Sequence, residues 1–199
     1  MKRYGPLYVA GLVDYARFSN ETTRNIDWVV DEAASGDFGS DVYGARTEAG
    51  RRYSSGRHNV TPFAGLDLVS ARTDGYVEDS VGILGLTFQS DRATSLTSAL
   101  GAQYDTWAQL EKGQILRPFA RVAWVHEFFP DLGVNSLLTV SPAATFAAEG
   151  IFAAQDVARV TTGFGLELTE HTGLFGYFDG EFSGYSQSYA GNGGIRVSW

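Results

Sequence analysis

The chain has 199 residues, of which 15 are Lys or Arg and 23 are Asp or Glu, so its formal net charge is −8. This acidic balance argues against a nucleic-acid partner, because contacts with phosphates need a basic surface. Cysteine is absent, which excludes a disulfide framework and a thiolate metal site. The 24 glycines, five prolines and 14% aromatic content favour an all-β protein with closely packed strands.

The first 18 residues, MKRYGPLYVAGLVDYARF, superficially resemble a secretion signal. However, Gly5 and Pro6 interrupt the apolar stretch, Asp14 and Arg17 follow it at once, and no cleavage site of small residues is present. No apolar run elsewhere approaches the ~18 residues that a transmembrane helix requires. We interpret the segment as a β-strand and expect no export signal in this chain.

Side chains alternate with a period of two residues in eight segments, most of them close to the ~9–11 residues of a tilted membrane strand. They predict strands at 5–18, 40–53, 60–73, 95–109, 115–128, 157–169, 173–183 and 193–199. No helical period competes over a comparable length, and 28–35 (WVVDEAAS) is too short to predict a helix. The apolar pieces GILGLTF and SLLTVS would raise the count by two if they extend strands.

One face of the predicted strands is apolar, and the other is small or charged. In PFARVAWVHEF, for example, Val122 and Trp124 oppose Arg121 and Glu127. The charged residues of the second face, which we predict to line a lumen, are Arg46, Glu48, Asp67, Arg121, Glu127, Glu167, Asp179, Glu181 and Arg196. A soluble barrel or sandwich with its apolar face inside produces the same alternation as a membrane barrel with that face outside.

The connections between the predicted strands alternate in length. Long ones cover about 19–38, 73–94 and 129–156, whereas SSGRH, EKGQ and EHTG are short, and SGYSQSYAGN precedes the last strand. Long connections on one side and short turns on the other are typical of outer-membrane barrels. We therefore predict a membrane barrel with both termini on the periplasmic side, and keep a soluble β-barrel binding protein as the alternative.

Aromatic residues near the ends of the predicted strands are candidates for an interfacial girdle, where amphipathic rings favour the boundary of the bilayer. They are Tyr15, Phe18, Trp107, Phe128, Phe129 and Trp199.

Candidate metal sites are weak. His126, in VHEFF, lacks the second histidine of a zinc-protease helix and falls on the apolar face of a strand, so we expect it at the edge of the lipid. The acidic stretch TDGYVED does not have the spacing of a calcium loop, and we expect it to be solvated. The sequence predicts neither a metal nor a cofactor.

Three carboxylates, Glu167, Asp179 and Glu181, share one face on adjacent predicted strands, and such groups can serve general acid–base catalysis. Arg46, Arg121 and Arg196 share that face and are expected to neutralise them. We therefore predict structural charge pairing and no catalytic residue, so the chain is not expected to be an enzyme.

Four segments together resemble the C-terminal translocator domain of bacterial autotransporters, the type V secretion family. They are YGPLYVAGLVDYARF, TPFAGLDLVSARTDGYVE, PFARVAWVHEF and DGEFSGYSQSYAGNGGIRVSW. The resemblance covers essentially the whole chain and is strongest over 60–75 and from 115 onwards. Its specificity comes from the order of the segments and the terminal aromatic residue, since no single motif is decisive.

The resemblance implies an antiparallel barrel of about twelve strands in the bacterial outer membrane, with an α-helix in its pore and an N-terminal passenger exported through it. It aligns Tyr4 near the fifth strand, so 1–199 is expected to be one domain without its N-terminal third, and the passenger lies outside this chain. Eight strands would then form either a narrow barrel or an open sheet.

Implied partners are outer-membrane lipid, the passenger and the barrel assembly machinery. The resemblance assigns the terminal strand, with Ile195, Val197 and Trp199, as the signal read by that machinery. Some family members cleave their passenger inside the barrel, but the helix that carries the scissile site is not expected here. A free-standing small outer-membrane barrel, acting as an adhesin or anchor, remains an alternative.

Overall fold

A computed structural model describes residues 2–26, 32–80, 85–111, 113–129, 133–138, 141–149, 154–184 and 186–199. These residues are organised almost entirely as β-strands, as the alternating pattern predicts. The strands are β1 Lys2–Tyr4, β2 Leu7–Ile26, β3 Glu32–Arg51, β4 Tyr53–Ser55, β5 His58–Thr73, β6 Tyr76–Val77, β7 Asp79–Ser80, β8 Leu86–Phe88, β9 Asp91–Asp105, β10 Ala108–Gln109, β11 Ile115–Glu127, β12 Gly133–Leu138, β13 Ser141–Glu149, β14 Asp156–Glu167, β15 Thr172–Phe182 and β16 Gln187–Val197. Within these ranges, no helix has the length and apolar character needed to cross a membrane.

Eight long strands form the main sheet, each antiparallel to the next in the order β2-β3-β5-β9-β11-β14-β15-β16. The short strands β1, β4, β7 and β10 pair with the ends of long ones. Neighbouring strands in space are thus mostly neighbours in sequence, as in an up-and-down meander. The predicted all-β antiparallel fold with about eight strands is confirmed.

The register gives this sheet two chemically distinct faces. Arg46 pairs with Asp67, Asp67 with Thr97 and Thr97 with Glu127, so these four side chains point to the same side. Followed across all eight strands, this side carries most of the charged residues, and we call it the polar face. The opposite side carries Val, Leu, Phe and Trp, and we call it the apolar face.

The main sheet curls toward its polar face. Arg121 on β11 and Glu48 on β3 are separated by two intervening strands, and a flat sheet would hold their backbones at least about 14 Å apart. Their side chains nevertheless meet, with Arg121 Nη2 donating to Glu48 Oε2 at 2.5 Å. The polar face is therefore concave and the apolar face convex.

The sheet remains open. Among the described residues, β16 pairs only with β15, and neither β1 nor β2 pairs with it. The accessible surface is 13699 Å², against about 9,200 Å² for a compact soluble protein of this mass. In the described ranges the buried apolar side chains are only Ala34, Phe63 and Val125. The residues that the structure describes form a half-barrel with no hydrophobic core on either face.

Several predicted strand limits were wrong. The first long strand, predicted to begin at residue 5, is β2 and begins at Leu7. Gly5 adopts a positive φ of 64° in the turn that lets β1 pair back onto β2. β2 and β3 extend through most of the connection predicted at 19–38. Similarly, β16 begins at Gln187, six residues before its predicted start. Residues 28–31 of the segment 28–35 lie outside the described part, and its remainder belongs to β3.

The asymmetry of the connections therefore depends on two segments, 74–90 and 128–155, which leave the sheet at the same end. The opposite end has the short connections 52–57 and 168–171, and the Ser198 amide donates to His171 O there. We call these the long-connection end and the short-turn end.

The two long connections contain a second sheet of four strands, in the order β13-β12-β8-β6. The predicted pieces GILGLTF and SLLTVS contribute β8 and part of β12 to it. Beyond Thr73, where β5 ends, β7 takes the place of β5 beside β3 and pairs Ser80 with Ala34. None of these short strands adds a long strand to the main sheet, so the count of eight long strands is unchanged.

Candidate functional site

The polar face is organised around Glu48, which accepts hydrogen bonds from side chains on two other strands. Tyr8 Oη donates to Glu48 Oε1 at 2.6 Å, and Arg121 Nη2 donates to Oε2 at 2.5 Å. The Glu48 and Arg121 side chains are 24% and 30% exposed. This partly shielded ion pair links β2, β3 and β11 across the concave surface, so it holds the curl of the sheet.

An aromatic ring supports the arginine of this cluster. The Arg121 guanidinium carbon lies 3.5 Å from the centre of the Phe63 ring, a cation–π contact. Phe63 is buried because its ring lies over Gly101 on the next strand, where a Cβ would come within 2.7 Å of Phe63 Cζ. Glycine at 101 thus makes room for the ring beneath the guanidinium.

Further ion pairs cover the polar face on both sides of this cluster. Arg46 contacts Asp67, Arg52 Nη2 lies 2.6 Å from Asp105 Oδ2, Arg117 Nε lies 3.0 Å from Glu167 Oε1, and Arg159 Nε lies 2.6 Å from Glu181 Oε1. The Arg196 side chain makes no hydrogen bond or ion pair within the described part of the chain. Most of the charge on this face is therefore compensated along the wall itself.

The expected pairing of the carboxylates was partly wrong. Glu167 and Glu181 pair with Arg117 and Arg159, and not with Arg46, Arg121 or Arg196. Both partners have the same parity as the predicted polar face, so the alternation contained the signal that would have identified them. Tyr8 and Asp105 also belong to this face and were missed.

The three carboxylates Glu167, Asp179 and Glu181 do not form a cluster. Glu167 pairs with Gly173, six positions along β15 from Asp179, which is a separation of about 20 Å in an extended strand. Asp179 accepts a hydrogen bond from Thr161 Oγ1 at 2.6 Å. The geometry therefore separates Glu167 from Asp179 and Glu181, and within β15 Asp179 is engaged by Thr161 while Glu181 is engaged by Arg159.

Glu127 shares the polar face but has a different environment from the other eight predicted charges. It is only 7% exposed, and its Oε1 accepts hydrogen bonds from the backbone amides of Leu96 at 3.1 Å and Phe129 at 2.9 Å. The Ser95 hydroxyl donates to its second oxygen. Glu127 therefore fastens the end of β11 to β9 where the longest connection begins.

The predicted girdle residues divide between the two ends and the two faces of the sheet. Phe128 and Phe129 follow β11 at the long-connection end, whereas Trp107 and Trp199 lie at the short-turn end. Tyr15 lies on the apolar face, with its ring 5.1 Å from that of Tyr43. Phe18 pairs with Ser40 on the polar face, so the register contradicts its assignment to a girdle that faces lipid.

Polar groups at the edge of the apolar face partner one another. Trp124 Nε1 donates to Asp156 Oδ1 at 2.8 Å, and His126 Nδ1 lies 2.9 Å from the same oxygen. The Phe128 ring packs edge-on against His126 with the ring centres 5.0 Å apart. His126 thus lies on the apolar face at the long-connection end.

The acidic stretch TDGYVED is not a solvated loop throughout. Glu78 is 6% exposed, accepts hydrogen bonds from Arg24 Nε at 3.2 Å and Nη2 at 2.5 Å, and also accepts one from the Leu86 amide at 2.8 Å. Burial, together with the nearby Glu78 charge, raises the pKa of Tyr76. Glu78 therefore ties the segment to the projecting part of β2.

Comparison with known proteins agrees with this architecture. The family model described as autotransporter beta-domain matches residues 2–179, which is most of the chain, and β16 lies beyond the matched range. A search of curated proteins gives no match.

Barrels of the autotransporter β-domain family are translocators of type V secretion in the outer membrane, and the family is not a catalytic one. The apolar convex face and polar concave face are what a lipid-embedded barrel requires. The chain belongs to the autotransporter β-domain family and is an outer-membrane β-barrel protein.

Proposed function

We propose that this chain exports an N-terminal passenger across the outer membrane and anchors it there, in a transport role without a chemical step. The observation that carries the proposal is the direction of curl, which places the charged face inside and the apolar face toward lipid. A passenger segment would pass along a hydrated wall, because the concave face carries most of the charged side chains of the sheet.

The ion pairs of the concave face suit such a path. Arg46, Arg117 and Arg159 each pair with a carboxylate on an adjacent strand, so the wall offers few uncompensated charges to a passing segment. A wall of this kind remains wet without binding the passenger strongly, because most of its charges already have a partner. Passive guidance is the mechanism that this arrangement supports.

We propose further that residues 1–199 are one barrel domain whose sheet is completed by additional strands. In a bilayer every backbone donor and acceptor must be paired. Within the described chain, the outer edge of β16 is unpaired, and the outer edge of β2 is paired only by the short β1 at Leu7–Val9. About four more strands, the number implied by the resemblance, would satisfy both edges and widen the lumen.

The barrel assembly machinery is the partner that we propose for β16. Ile195 and Val197 are 68% and 57% exposed on the apolar face of this edge strand, and Trp199 is fully exposed beyond it. An exposed apolar edge strand is a template for pairing with another chain.

A surface-display experiment tests export. An epitope-tagged passenger segment behind a secretion signal is fused upstream of the chain in a Gram-negative host, and protease is added to intact cells. We expect the epitope to be digested while a periplasmic marker stays intact. An epitope that is protected until lysis, on a fusion found in the outer membrane, would contradict export.

Two variants test the role of the last strand in the same cells. Replacing Ile195 and Val197 with serine removes apolar side chains from the apolar face, so we expect the fusion to leave the outer-membrane fraction. Leu12→Ser makes a similar change on the polar face of β2 and is expected to have no such effect. Equal losses from both variants would argue against an assembly signal in β16.

The structure does not favour the alternatives. A soluble β-barrel binding protein would have its apolar face on the concave side, which is the opposite of the curl observed. A free-standing narrow barrel would pair its first and last strands, and the described residues of β2 and β16 are not paired.

A further inference from the structure

Three arginines and one aspartate form a row across the apolar face toward the long-connection end. Arg17 on β2 pairs with Asp41, Asp41 pairs with Arg72 on β5, and Arg72 pairs with Arg92 on β9. Four adjacent strands thus contribute one row of side chains in which three of the four are cationic. This row contrasts with the formal charge of −8 for the whole chain.

The arginines of this row are poorly compensated. Arg72 and Arg92 are exposed and stand directly opposite each other, an arrangement that repulsion between like charges destabilises. In the described ranges neither side chain makes a hydrogen bond or an ion pair. Asp41 accepts a hydrogen bond from Tyr15 at 2.7 Å, and Arg17 approaches it only to 3.9 Å. The Arg72–Arg92 pair therefore has no anionic partner among the described residues of the protein.

The surroundings indicate where that anion comes from. Tyr15 and Tyr43 lie next to the row on the same face, with Leu68 and Leu96 beyond them. This is the order expected where the hydrocarbon band meets the headgroups. Long connections of outer-membrane barrels face the cell exterior, so the row lies at the level of the outer leaflet.

We propose that Arg72 and Arg92, assisted by Arg17, bind the phosphate groups of a phosphorylated glycolipid, the lipid A headgroup of the outer leaflet. Guanidinium groups match phosphate oxygens in bidentate geometry, and two of them on neighbouring strands can hold one phosphate or two adjacent ones. The acidic neighbours are Asp41 in the row, Asp74 beside Gly39 just outside it, and Glu21 and Asp37 further out on the hairpin. Asp41 is engaged by Tyr15, which leaves the Arg72–Arg92 pair as the strongest anion site.

The test measures how much lipid A stays with the protein. The chain is produced behind a secretion signal in a Gram-negative host, its outer membrane is extracted in neutral detergent, and co-purifying lipid A is quantified by mass spectrometry. In R72Q/R92Q we expect retention to fall about fivefold or more, because two charge-assisted contacts are lost. The matched control R51Q/R57Q removes two exposed arginines from the short-turn end and is expected to retain lipid A as the wild type does.

Two further arms identify the ligand. In a host whose lipid A lacks phosphates, wild-type retention should fall to the R72Q/R92Q level. Inorganic phosphate alone should not stabilise the refolded chain, whereas added lipid A should raise its unfolding temperature in the wild type and not in R72Q/R92Q. The proposal is overturned by equal retention in wild type and R72Q/R92Q, by an equal loss in R51Q/R57Q, or by stabilisation with phosphate alone.

The lipid A proposal and the export proposal can be contradicted independently of each other. Refolded chain with added lipid A reports on the arginines without any passenger, and the surface-display fusion reports on export without reference to lipid A. A wild-type chain that retains lipid A but leaves its epitope protected would therefore contradict export alone.

Discussion

Single residues on the concave wall show how charge is used to shape this sheet. Glu48 and Arg121 are on strands that do not touch, so their ion pair spans the curl, whereas Arg46 and Asp67 are direct cross-strand neighbours. The first pair is also better shielded, because 60% of the Arg46 side chain is exposed. We therefore expect the pair that crosses the sheet to contribute more to stability than the local one.

A double-mutant cycle tests this difference. Glu48→Gln and Arg121→Gln, alone and together, should show a coupling of about 1–2 kcal/mol in urea unfolding from lipid vesicles, since a charge-assisted bond in a partly shielded site is lost. The corresponding cycle on Arg46 and Asp67 should give about 0.5 kcal/mol or less, because water screens an exposed pair. Equal couplings in the two cycles would show that an ion pair that spans the curl contributes no more to stability than a local one.

Among the structural elements, the β2–β3 hairpin is the one that leaves the membrane. Each of its strands has 20 residues, about twice the length that crosses a bilayer. The projecting part is held by β7 pairing and by a stack in which Tyr76 lies between Phe38 and Phe88, with ring centres 4.6 Å apart on each side. The Glu78 carboxylate fastens the same segment to Arg24, so the external strands form one ordered unit.

Removing that carboxylate should release the external segment without unfolding the barrel wall. In Glu78→Ala we expect the segment 74–90 to be cleaved about tenfold faster by protease in intact membranes, because the Arg24 guanidinium and the Leu86 amide both lose the buried carboxylate as an acceptor. Asp79→Asn, at the exposed neighbouring position, is the matched control and should leave the rate unchanged. Resistance of both variants to protease would show that stacking alone holds the segment.

For the molecule as a whole, the open edges decide how it behaves in detergent. A barrel closed by hydrogen bonds around its whole circumference resists unheated detergent, but a half-barrel exposes two strand edges from which unfolding can start. The 199-residue chain alone should therefore migrate at the same position on a gel whether or not it is boiled. A shift on boiling would mean that its eight strands close without help, and would favour the small-barrel alternative.

The strands could be predicted where the side chains differ between the two faces, and the prediction failed where the side chains do not differ. β11 was placed to within a residue because Arg121 and Trp124 mark opposite sides. β16 was predicted too short because glycines at 191, 193 and 194 carry no side chain that reveals a period. The projecting hairpin was taken for a loop because, outside the bilayer, polar residues occupy both faces. Phe18 was misassigned because its position near a strand end was considered and its parity was not.

The alternation by itself determined the class of this protein. A period of two residues, sustained over eight segments, admits antiparallel strands with one apolar and one polar face and excludes a helical alternative. The alternation did not determine which face is inside, because a period of two is the same whether the sheet curls one way or the other. Only the tertiary structure decided it, through contacts such as Arg121 with Glu48 that cross two strands. Long side chains can meet in that way on the concave side alone, and so the charged face is the inner one.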